Sequence, residues 1–452
     1  MFKRVLVANR GEIAVRVIRA LHENDVEAVA VYSAADEESL HVRLADRAVR
    51  IGPPAANESY LKIPSLIAAA TTTGCEAVHP GYGFLSENPA FVEACADNDL
   101  VFIGPDADVM ARMGDKVEAK RELRAAGVPL VPGTEEATSL DDARSAADDV
   151  GYPVLLKASA GGGGKGMRLV DGPDELDSAY GMASMEAEAA FGDGSLYLEK
   201  AISPARHVEI QVLADGEGGV LTLGERECSI QRRHQKLIEE SPSPALTPDV
   251  REEMESAAER ACHAIGYRNA GTFEFLLGPE RAFYFIELNA RLQVEHPVTE
   301  MVTGIDLVRE QLRVAAGEGL SRTGRAERRG HAIEVRLNAE DPRNDFAPAP
   351  GLVARLRPPL GPGVRLDTHV EDGYRVPPHY DSLLGKLVVW DESRPEAIDR
   401  MLRALGELVL EGVPTTRELA IDILRSEEFA SGRYSTSFLA EAAERLPALV
   451  GS

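Results

Sequence analysis

Carboxylate, amide and guanidinium side chains alternate with apolar ones along FYFIELNARLQVEHP, residues 283–297. The polar positions are Glu287, Asn289, Arg291, Gln293 and Glu295. If the whole segment is extended, successive side chains point to opposite sides, so these five groups share one face. Every half-buried strand alternates, and an ordinary polar outside face is the alternative. Carboxylates interleaved with Asn, Arg and Gln favour a functional face.

A metal site is the first prediction from this face. The segment GTFEFLL, residues 271–277, is also strand-like and carries Glu274 between two phenylalanines. Glu274, Glu287 and Asn289 together make an all-oxygen ligand set. Such a set suits Mg²⁺ that is shared with phosphate groups.

An anion site is the second prediction. Arg291 can hold a planar, carboxylate-like anion in a bidentate manner, and Gln293 can hydrogen-bond the same anion. Glu295 can take a proton from it. The segment ECSIQRRHQKLIEESPSP, residues 227–244, adds a basic cluster to an acidic chain, with a solvated loop as the alternative. The members of this cluster are Arg232, Arg233, His234 and Lys236.

The glycine-rich segment KASAGGGGKGM, residues 157–167, lies between two apolar stretches, YPVLLKAS and MRLVDG. Apolar strands on both sides predict a hairpin rather than an interdomain linker. The segment fails the phosphate-binding loop signature, because Ser159 stands at the first glycine position and Gly166 follows Lys165. Its backbone amides could close over phosphates beside Lys157. On this segment alone, a plain flexible hairpin is an equal alternative.

Two other polar segments are candidates for the same site. RHVEIQV places His207, Glu209 and Gln211 on one face of a predicted strand. A lone histidine in such a place is more often structural than catalytic. HPGYGFLSEN, residues 79–88, is a glycine-rich loop after a predicted strand, where α/β folds place ligands.

The elements that must position these residues begin with KRVLVANRGEIAVRVIRALHENDVEAVAVYS, a strand–helix–strand pattern. It predicts a doubly wound, Rossmann-like α/β domain over residues 1–113. The turn ANRGE lacks the glycine pattern of a dinucleotide site. A central region follows over 114–325, and the polar GRAERRG at 324–330 predicts a linker. An α+β region then covers 330–446, with an alternating strand, HAIEVRLN, and a helix with one apolar face near 397–411.

The charge balance excludes several classes of partner. The 452 residues carry 49 Lys and Arg against 74 Asp and Glu, a formal net charge of −25. Such a chain repels nucleic-acid backbones and anionic membranes. The four cysteines form no CxxC pair, which disfavours a zinc site or a disulfide framework. No segment reads as a signal peptide or a membrane span, so a cytoplasmic protein is predicted.

Ten motifs in this order closely resemble the biotin carboxylase family, the ATP-grasp subunit or domain of biotin-dependent carboxylases. They are ANRGEIA, HPGYGFLSEN, MGDK, KASAGGGGKGM, RHVEIQV, CSIQRRHQK, GTFEFL, IELNARLQVEHPVTE, EVRLNAEDP and PPHYDSLLGKL. The resemblance covers essentially the whole chain. It implies an N-terminal biotin carboxylase domain over 1–113, an ATP-grasp domain over 114–325 with a glycine-rich lid at about 131–203, and a C-terminal α+β biotin carboxylase domain over 330–446.

The resemblance also implies the role of each site residue. The ATP phosphates would be held by Lys116, Lys157 and the amides of Gly163 and Gly164. The adenine edge would be held by Glu199, Lys200 and Ile202, and the nucleotide site would be lined by His207 and His234. Mg²⁺ or Mn²⁺ would be bound by Glu274, Glu287 and Asn289. Bicarbonate would be held by Lys236, Arg291, Gln293 and the Val294 amide, with Glu295 as its base. The biotin enolate would face Arg336, flanked by Tyr82 and Asp381.

The implied activity is ATP-dependent carboxylation of biotin by bicarbonate through carboxyphosphate, the first half-reaction of an acyl-CoA carboxylase. The chain has no Met-Lys-Met biotinylation motif. Biotin would therefore arrive on a separate carrier protein, or the chain would be a truncated α chain. The implied partners are a biotin carboxyl carrier, carboxyltransferase subunits and a second copy in a homodimer. The alternatives are another ATP-grasp ligase, such as a carbamoyl-phosphate-forming enzyme, and a non-catalytic scaffold for a carboxylase.

Overall fold

A computed structural model describes residues 1–134, 139–159 and 167–450 of the chain. Its N-terminal part is a five-stranded parallel sheet in the order β3-β2-β1-β4-β5. The elements are β1 Arg4–Val7, α1 Gly11–His22, β2 Glu27–Ser33, α2 Leu40–Leu44, β3 Arg47–Gly52, α3 Ile63–Thr73, β4 Ala77–His79, α4 Pro89–Ala96, β5 Val101–Phe102 and α5 Ala107–Gly114. The predicted strand–helix–strand unit is confirmed as β1–α1–β2.

Helices cover both faces of this sheet. Val5 and Val7 of β1 pack in one apolar cluster with Ile13 of α1. Leu6, between them, packs in another cluster with Leu66 of α3. Because neighbouring side chains of a strand point to opposite faces, the two clusters lie on opposite sides of the sheet. The doubly wound fold expected from the sequence is therefore confirmed.

The central part contains a small three-stranded sheet and most of a larger one. The elements are α6 Lys116–Ala125, α7 Leu140–Val150, β6 Val154–Ala158, β7 Met167–Val170, α8 Pro173–Phe191, β8 Leu196–Lys200, β9 Arg206–Asp215, β10 Val220–Arg232, β11 Gln235–Ser241, α9 Pro248–Ile265, β12 Arg268–Leu277, β13 Phe283–Asn289, α10 His296–Thr303, α11 Leu307–Ala315 and β14 Gly324–Arg325. The small sheet has the order β7-β6-β8 and is antiparallel. The strands predicted on either side of the glycine run are thus a hairpin, and the run itself, including Gly163 and Gly164, lies outside the described residues.

The C-terminal part completes the larger sheet. The elements are β15 His331–Asn338, β16 Glu340–Asp341, β17 Ala347–Pro348, β18 Gly351–Leu352, β19 Arg355–Arg357, β20 Val364–Thr368, β21 Arg375–Val376, β22 Leu383–Asp391, α12 Arg394–Glu407, β23 Val409–Glu411, α13 Arg417–Arg425, α14 Glu427–Ala430 and α15 Phe438–Ala442. The helix predicted near 397–411 was placed too far along the chain. It ends at Glu407, because Leu408 is extended and Val409 opens a strand that pairs with β19.

One nine-stranded sheet joins the central and C-terminal parts. Its order is β13-β12-β9-β10-β11-β15-β22-β20, with β14 beside β10. The junction is the antiparallel pair β11–β15. In the chain, β11 precedes the segment 324–330 and β15 follows it. Residues from both parts therefore share one sheet and can contribute side chains to one site. Among the described residues, no helix is both long and apolar enough to cross a membrane.

Glu240 ties this junction to the C-terminal helices. Its buried carboxylate lies 2.6 Å from His331 Nε2 and accepts hydrogen bonds from Arg394 at 2.6 and 3.0 Å and from the Tyr434 hydroxyl. Burial alone would raise the pKa of Glu240, but the hydrogen bonds from His331 and Arg394 outweigh it and lower the pKa from 4.5 to about 2. The carboxylate form is therefore favoured by folding.

Replacing Glu240 with glutamine is expected to lower the free energy of unfolding at neutral pH by about 3 kcal/mol. A depressed carboxyl pKa stabilises the fold above the unfolded pKa, and this contribution is lost as the pH falls from 4.5 towards 2. The difference in free energy of unfolding between wild type and variant, measured by urea unfolding, should therefore be smaller at about pH 3.5 than at neutral pH. The exposed Glu392→Gln is the control, and a difference that stays constant with pH would contradict the assignment.

Candidate active site

A row of charged residues crosses four neighbouring strands of the large sheet. Arg226 of β10 is paired with Glu209 of β9, Glu209 with Glu274 of β12, and Glu274 with Glu287 of β13. Directly paired residues of antiparallel strands lie side by side on one face, at distances where their charges interact. Three neighbouring carboxylates would repel one another, so the site must supply positive charge.

Lys236 of β11 supplies part of that charge. Its ammonium donates to Glu209 at 2.7 Å, to Glu274 at 3.0 Å and to Glu295 at 2.6 Å. His207 Nε2 lies 3.0 Å from the other oxygen of Glu274. Burial alone would raise the pKa of Glu274, but Lys236 and His207 hold it well below its usual range. The predicted Lys236, His207 and Glu274 are thus brought together, and Glu209 joins them.

Glu287 is the carboxylate of this row that remains solvent-exposed. Partial desolvation of its carboxylate by the neighbouring strands and the charge of Glu274 raise its pKa. Asn289, two residues along β13, has a buried side-chain nitrogen without a hydrogen-bond partner in the described part of the chain. Two like-charged carboxylates and an amide oxygen on the neighbouring strands β12 and β13 fit a hard divalent cation such as Mg²⁺.

The extended conformation predicted through Glu295 is wrong beyond Asn289. β13 ends there, residues 290–295 form a bend and a turn, and α10 begins at His296. Pro297 favours a helix start at this point, because proline suits the first turn of a helix. Arg291, Gln293 and Glu295 do reach the site, but through the turn rather than through the alternation of a strand.

Arg291 is held by the groups around it. It donates to Glu87 at 2.8 Å, to Asn289 at 2.9 Å and to Gln293 at 2.9 Å, and Gln293 donates to Glu274 at 3.2 Å. The guanidinium is therefore oriented beside Glu274 and Glu287 before any ligand binds. An oriented, planar cation of this kind suits a small, planar anion.

Glu295 connects this cluster to the C-terminal part. Its fully buried carboxylate accepts from Lys236 at 2.6 Å and from Arg336 of β15 at 2.9 Å. Burial alone would raise the pKa of Glu295, but these two cations hold it well below its usual range. Arg336 also donates to Glu239 at 2.6 Å, and burial raises the pKa of Glu239 to about 7 despite this pairing. Glu295 is thus an ionised acceptor between two cations.

The predicted phosphate-binding lysines lie in a second cluster. Glu199 accepts hydrogen bonds from both Lys157 and Lys120. Burial lowers the pKa of Lys116, and the neighbouring charge of Lys157 lowers it further. Several ammonium groups held close together favour a polyanion such as a nucleotide phosphate chain.

Three residues predicted at the nucleotide site lie apart from the Lys236 cluster. The Lys200 ammonium donates to the carbonyls of Gly151 and Tyr152 at 2.8 Å each. Ile202 lies against Gly278. His234 is exposed at the turn between β10 and β11, where its φ is 67°. No ion pair or hydrogen bond in the described residues joins these three side chains to the Lys236 cluster.

Tyr82 and Asp381 line a cavity of about 100 Å³ together with Glu12 and His369. The Tyr82 hydroxyl donates to Glu12 at the start of α1. Asp381 accepts from the backbone of Leu383 at 3.0 Å. The two residues predicted to flank the biotin enolate thus share one cavity wall.

Sequence reasoning missed several residues of the site. They are Glu87, Lys120, Arg226 and Glu239. Glu87 lies in a segment already marked as polar, and Lys120 is one helical turn after Lys116, a spacing that predicts a shared face. Arg226 and Glu239 carry no local signal, because only strand pairing places them beside the cluster.

Comparison with known proteins identifies the family of this chain. Three family profiles match the chain: "Biotin carboxylase, N-terminal domain" over residues 1–110, "Carbamoyl-phosphate synthase L chain, ATP binding domain" over 115–323 and "Biotin carboxylase C-terminal domain" over 334–441. A biotin carboxylase of Nostoc sp. is 54% identical over 442 residues, which cover 97% of this chain and 99% of the relative. Biotin carboxylase 1 of Bacillus subtilis is 50% identical over 442 residues, with 97% and 98% covered.

A solved structure agrees with the sequence relatives. The biotin carboxylase domain dimer of Hydrogenobacter thermophilus 2-oxoglutarate carboxylase, in complex with MgADP, ADP and bicarbonate, has a TM-score of 0.93 and 46% identity, and the match covers 100% of this chain and 99% of that one. The match in sequence, domain order and fold confirms the resemblance found in the motifs. The chain belongs to the biotin carboxylase family, whose members carboxylate biotin with ATP and bicarbonate.

Proposed function

We propose that this chain carboxylates N1′ of biotin at the cluster formed by Lys236, Arg291, Glu295 and Arg336. The reaction consumes ATP and bicarbonate and is the first half-reaction of an acyl-CoA carboxylase. The observation that carries the proposal is the buried Glu295 carboxylate held between Lys236 and Arg336. It combines a proton acceptor with cations that can hold a small anion and a developing enolate.

The nucleotide and the metal would bind at the acidic row and the lysine cluster. ATP phosphates would contact Lys116, Lys157 and the amides of Gly163 and Gly164. The adenine edge would be held by Glu199, Lys200 and Ile202, and the nucleotide site would be lined by His207 and His234. Mg²⁺, or Mn²⁺, would be held by Glu274, Glu287 and Asn289. The MgADP in the relative from H. thermophilus supports this choice of ligand. The metal would neutralise charge that develops on the transferred phosphoryl group.

In the first step, Lys236, Arg291, Gln293 and the Val294 amide orient bicarbonate, and Glu295 takes its proton. Before this proton transfer, the Lys236 ammonium turns from the carboxylates to the anion, which raises the basicity of Glu295. An oxygen of the deprotonated anion bonds to the γ-phosphorus while the bond to ADP breaks, giving carboxyphosphate. The role of the side chains is to orient and to stabilise charge.

In the second step, Arg336 faces the oxygen of the biotin ureido group, between Tyr82 and Asp381. Carboxyphosphate separates into CO₂ and phosphate, and the phosphate takes the N1′ proton. The guanidinium stabilises the enolate that forms, because it is already oriented by Glu239 and Glu295. N1′ then bonds to the carbon of CO₂.

The test is an assay of ADP formation by the purified chain with Mg²⁺, ATP and bicarbonate, with and without free biotin. Biotin should stimulate ADP formation, and labelled carbonate should appear in carboxybiotin. No stimulation would contradict the proposal. Ammonia replaces biotin in a parallel assay, because the ATP-binding profile over residues 115–323 is named for carbamoyl-phosphate synthase. Stimulation by ammonia alone would favour that second function.

Partners and organisation remain predictions that family membership supports. A biotin carboxyl carrier would present the substrate, and carboxyltransferase subunits would use the product. A homodimer is supported by the dimeric relative from H. thermophilus, and light scattering would test it. The domain limits 1–113, 114–325 and 330–446, the lid at about 131–203 and a cytoplasmic location stand as proposed from the sequence.

Replacing Glu287 with glutamine is expected to raise the Mg²⁺ concentration for half-maximal ATP use by at least about tenfold, an effect that even outer-shell changes can have. The amide removes the negative charge that the metal would neutralise beside Glu274. A Mg²⁺ titration of ADP formation measures the change. Glu280→Gln, in the exposed turn between β12 and β13, is the matched control. An unaltered Mg²⁺ dependence in the Glu287 variant would remove this residue from the ligand set.

A further inference from the structure

Lys386 is a completely buried lysine next to the active site. It lies on β22 and is directly paired with Arg336 of β15, so the two side chains lie on the same face of the sheet. Its ammonium donates to the Val294 carbonyl at 2.8 Å and lies 3.0 Å from Glu12. Burying an ammonium group is costly unless it is paired and hydrogen-bonded. This burial therefore points to a role for the contacts it makes.

Each contact reaches a different part of the chain. Glu12 belongs to the first turn of α1, and it also accepts a hydrogen bond from the Tyr82 hydroxyl. The Lys386 ammonium lies 5.7 Å from the centre of the Tyr82 ring. Val294 belongs to the turn before α10. One lysine thus connects the wall that carries Tyr82 with the turn that carries Glu295.

The hydrogen bond to the Val294 carbonyl also constrains the residue that follows it, Glu295. This carbonyl is part of the peptide bond between Val294 and Glu295, so its position sets the Cα atom of Glu295. No strand pairing fixes this segment, since residues 290–295 lie in a bend and a turn. The hydrogen bond from Lys386 therefore constrains Val294 in place of strand pairing, beside the hydrogen bonds of Ala290 to Glu87 and of the His296 amide to the Gln293 carbonyl.

We propose that Lys386, held by Glu12, is a positioning residue that sets the Val294–Glu295 turn and the Tyr82 side chain in register with each other. This inference rests on the proposed function, because Glu295 and Tyr82 matter through their places at bicarbonate and biotin. Neither Lys386 nor Glu12 touches a reacting group in this scheme. Their effect passes through the two groups they hold.

The alternative is a buried ion pair that serves only stability, and a double replacement separates the two roles. In Lys386→Met, the Glu12 carboxylate is left buried without its cation, so the melting temperature should fall. In the double variant Glu12→Gln/Lys386→Met, neither charge remains, and the melting temperature should recover. If Lys386 positions the turn, kcat should stay low in the double variant, because the Val294 carbonyl still lacks its donor.

The experiment measures kcat and KM for bicarbonate and for free biotin in wild type, both single variants and the double variant. Lys386→Met and the double variant should lose roughly 10²-fold in kcat, the effect of about 1 Å of misplacement. ATP affinity should be unchanged, because the lysine cluster at Glu199 is untouched. Lys386→Arg, which keeps a cation in the same place, should restore part of the lost rate. The exposed Lys62→Met is the matched control.

The outcomes separate this inference from the proposed function. A wild-type chain that biotin does not stimulate contradicts the proposed function itself. An active wild type whose double variant recovers kcat along with its melting temperature overturns the positioning role. A Lys386→Met variant with a rate within about threefold of wild type also overturns it. If Lys386→Met does not fold, the comparison of the double variant with Glu12→Gln decides the question.

Discussion

Replacing Glu295 with glutamine is expected to lower the rate of biotin-stimulated ADP formation by on the order of 10²- to 10⁴-fold, the range for loss of a general base. The amide cannot take a proton from bicarbonate. Lys236 and Arg336 hold the pKa of Glu295 well below its usual range, so the native group is ionised throughout the neutral range. The rate with saturating bicarbonate measures the effect, because weaker binding alone would then be masked.

Glutamine has the shape of glutamate, but it leaves two cations beside a neutral group. A control for folding is therefore needed, and thermal unfolding with ATP present provides it. Glu217→Gln, at an exposed turn, should retain full activity. A Glu295→Gln variant that folds and turns over at a near-normal rate would remove Glu295 from the role of the base. A variant that changes only KM for bicarbonate would leave Glu295 with a binding role.

Replacing Arg291 with alanine is expected to lower kcat by on the order of 10²-fold or more. Arg291 is the oriented cation at the anion site, and it also holds Asn289 and Gln293 in place through hydrogen bonds of 2.9 Å each. Its loss therefore removes a positive charge and loosens one metal-type ligand at the same time. The assay is biotin-stimulated ADP formation, with KM for bicarbonate measured in the same series.

Lysine at position 291 separates charge from geometry. Arg291→Lys keeps the charge but loses the planar, bidentate guanidinium group. Its KM for bicarbonate should therefore lie above the wild-type value, while its kcat should exceed that of Arg291→Ala. Arg329→Ala is the control. In the described part of the chain, the exposed Arg329 side chain pairs only with its exposed neighbour Glu327. Near-normal activity of Arg291→Ala would remove the anion site from this arginine.

The polar face at residues 287–295 shows how far a local pattern can be trusted. The alternation predicted that Glu287, Asn289, Arg291, Gln293 and Glu295 lie together, and the structure brings them into one charged cluster. The alternation was wrong about the reason, because the strand ends at Asn289 and the turn before α10 carries the last three inward. A period of two describes a strand, but a turn that folds back on a sheet can present the same residues.

The sequence by itself determined the family, the order of the elements and the chemical character of the site. Motifs, apolar periodicity and the strands on either side of the glycine run are local features, and local features can be read from neighbouring residues. Only the tertiary structure decided which cation meets which carboxylate. Lys236 and Glu295 are 59 residues apart, and Arg336 and Glu239 are 97 apart. Such contacts follow from the order of strands in the large sheet and from burial, which makes each unpaired charge costly and so selects its partner.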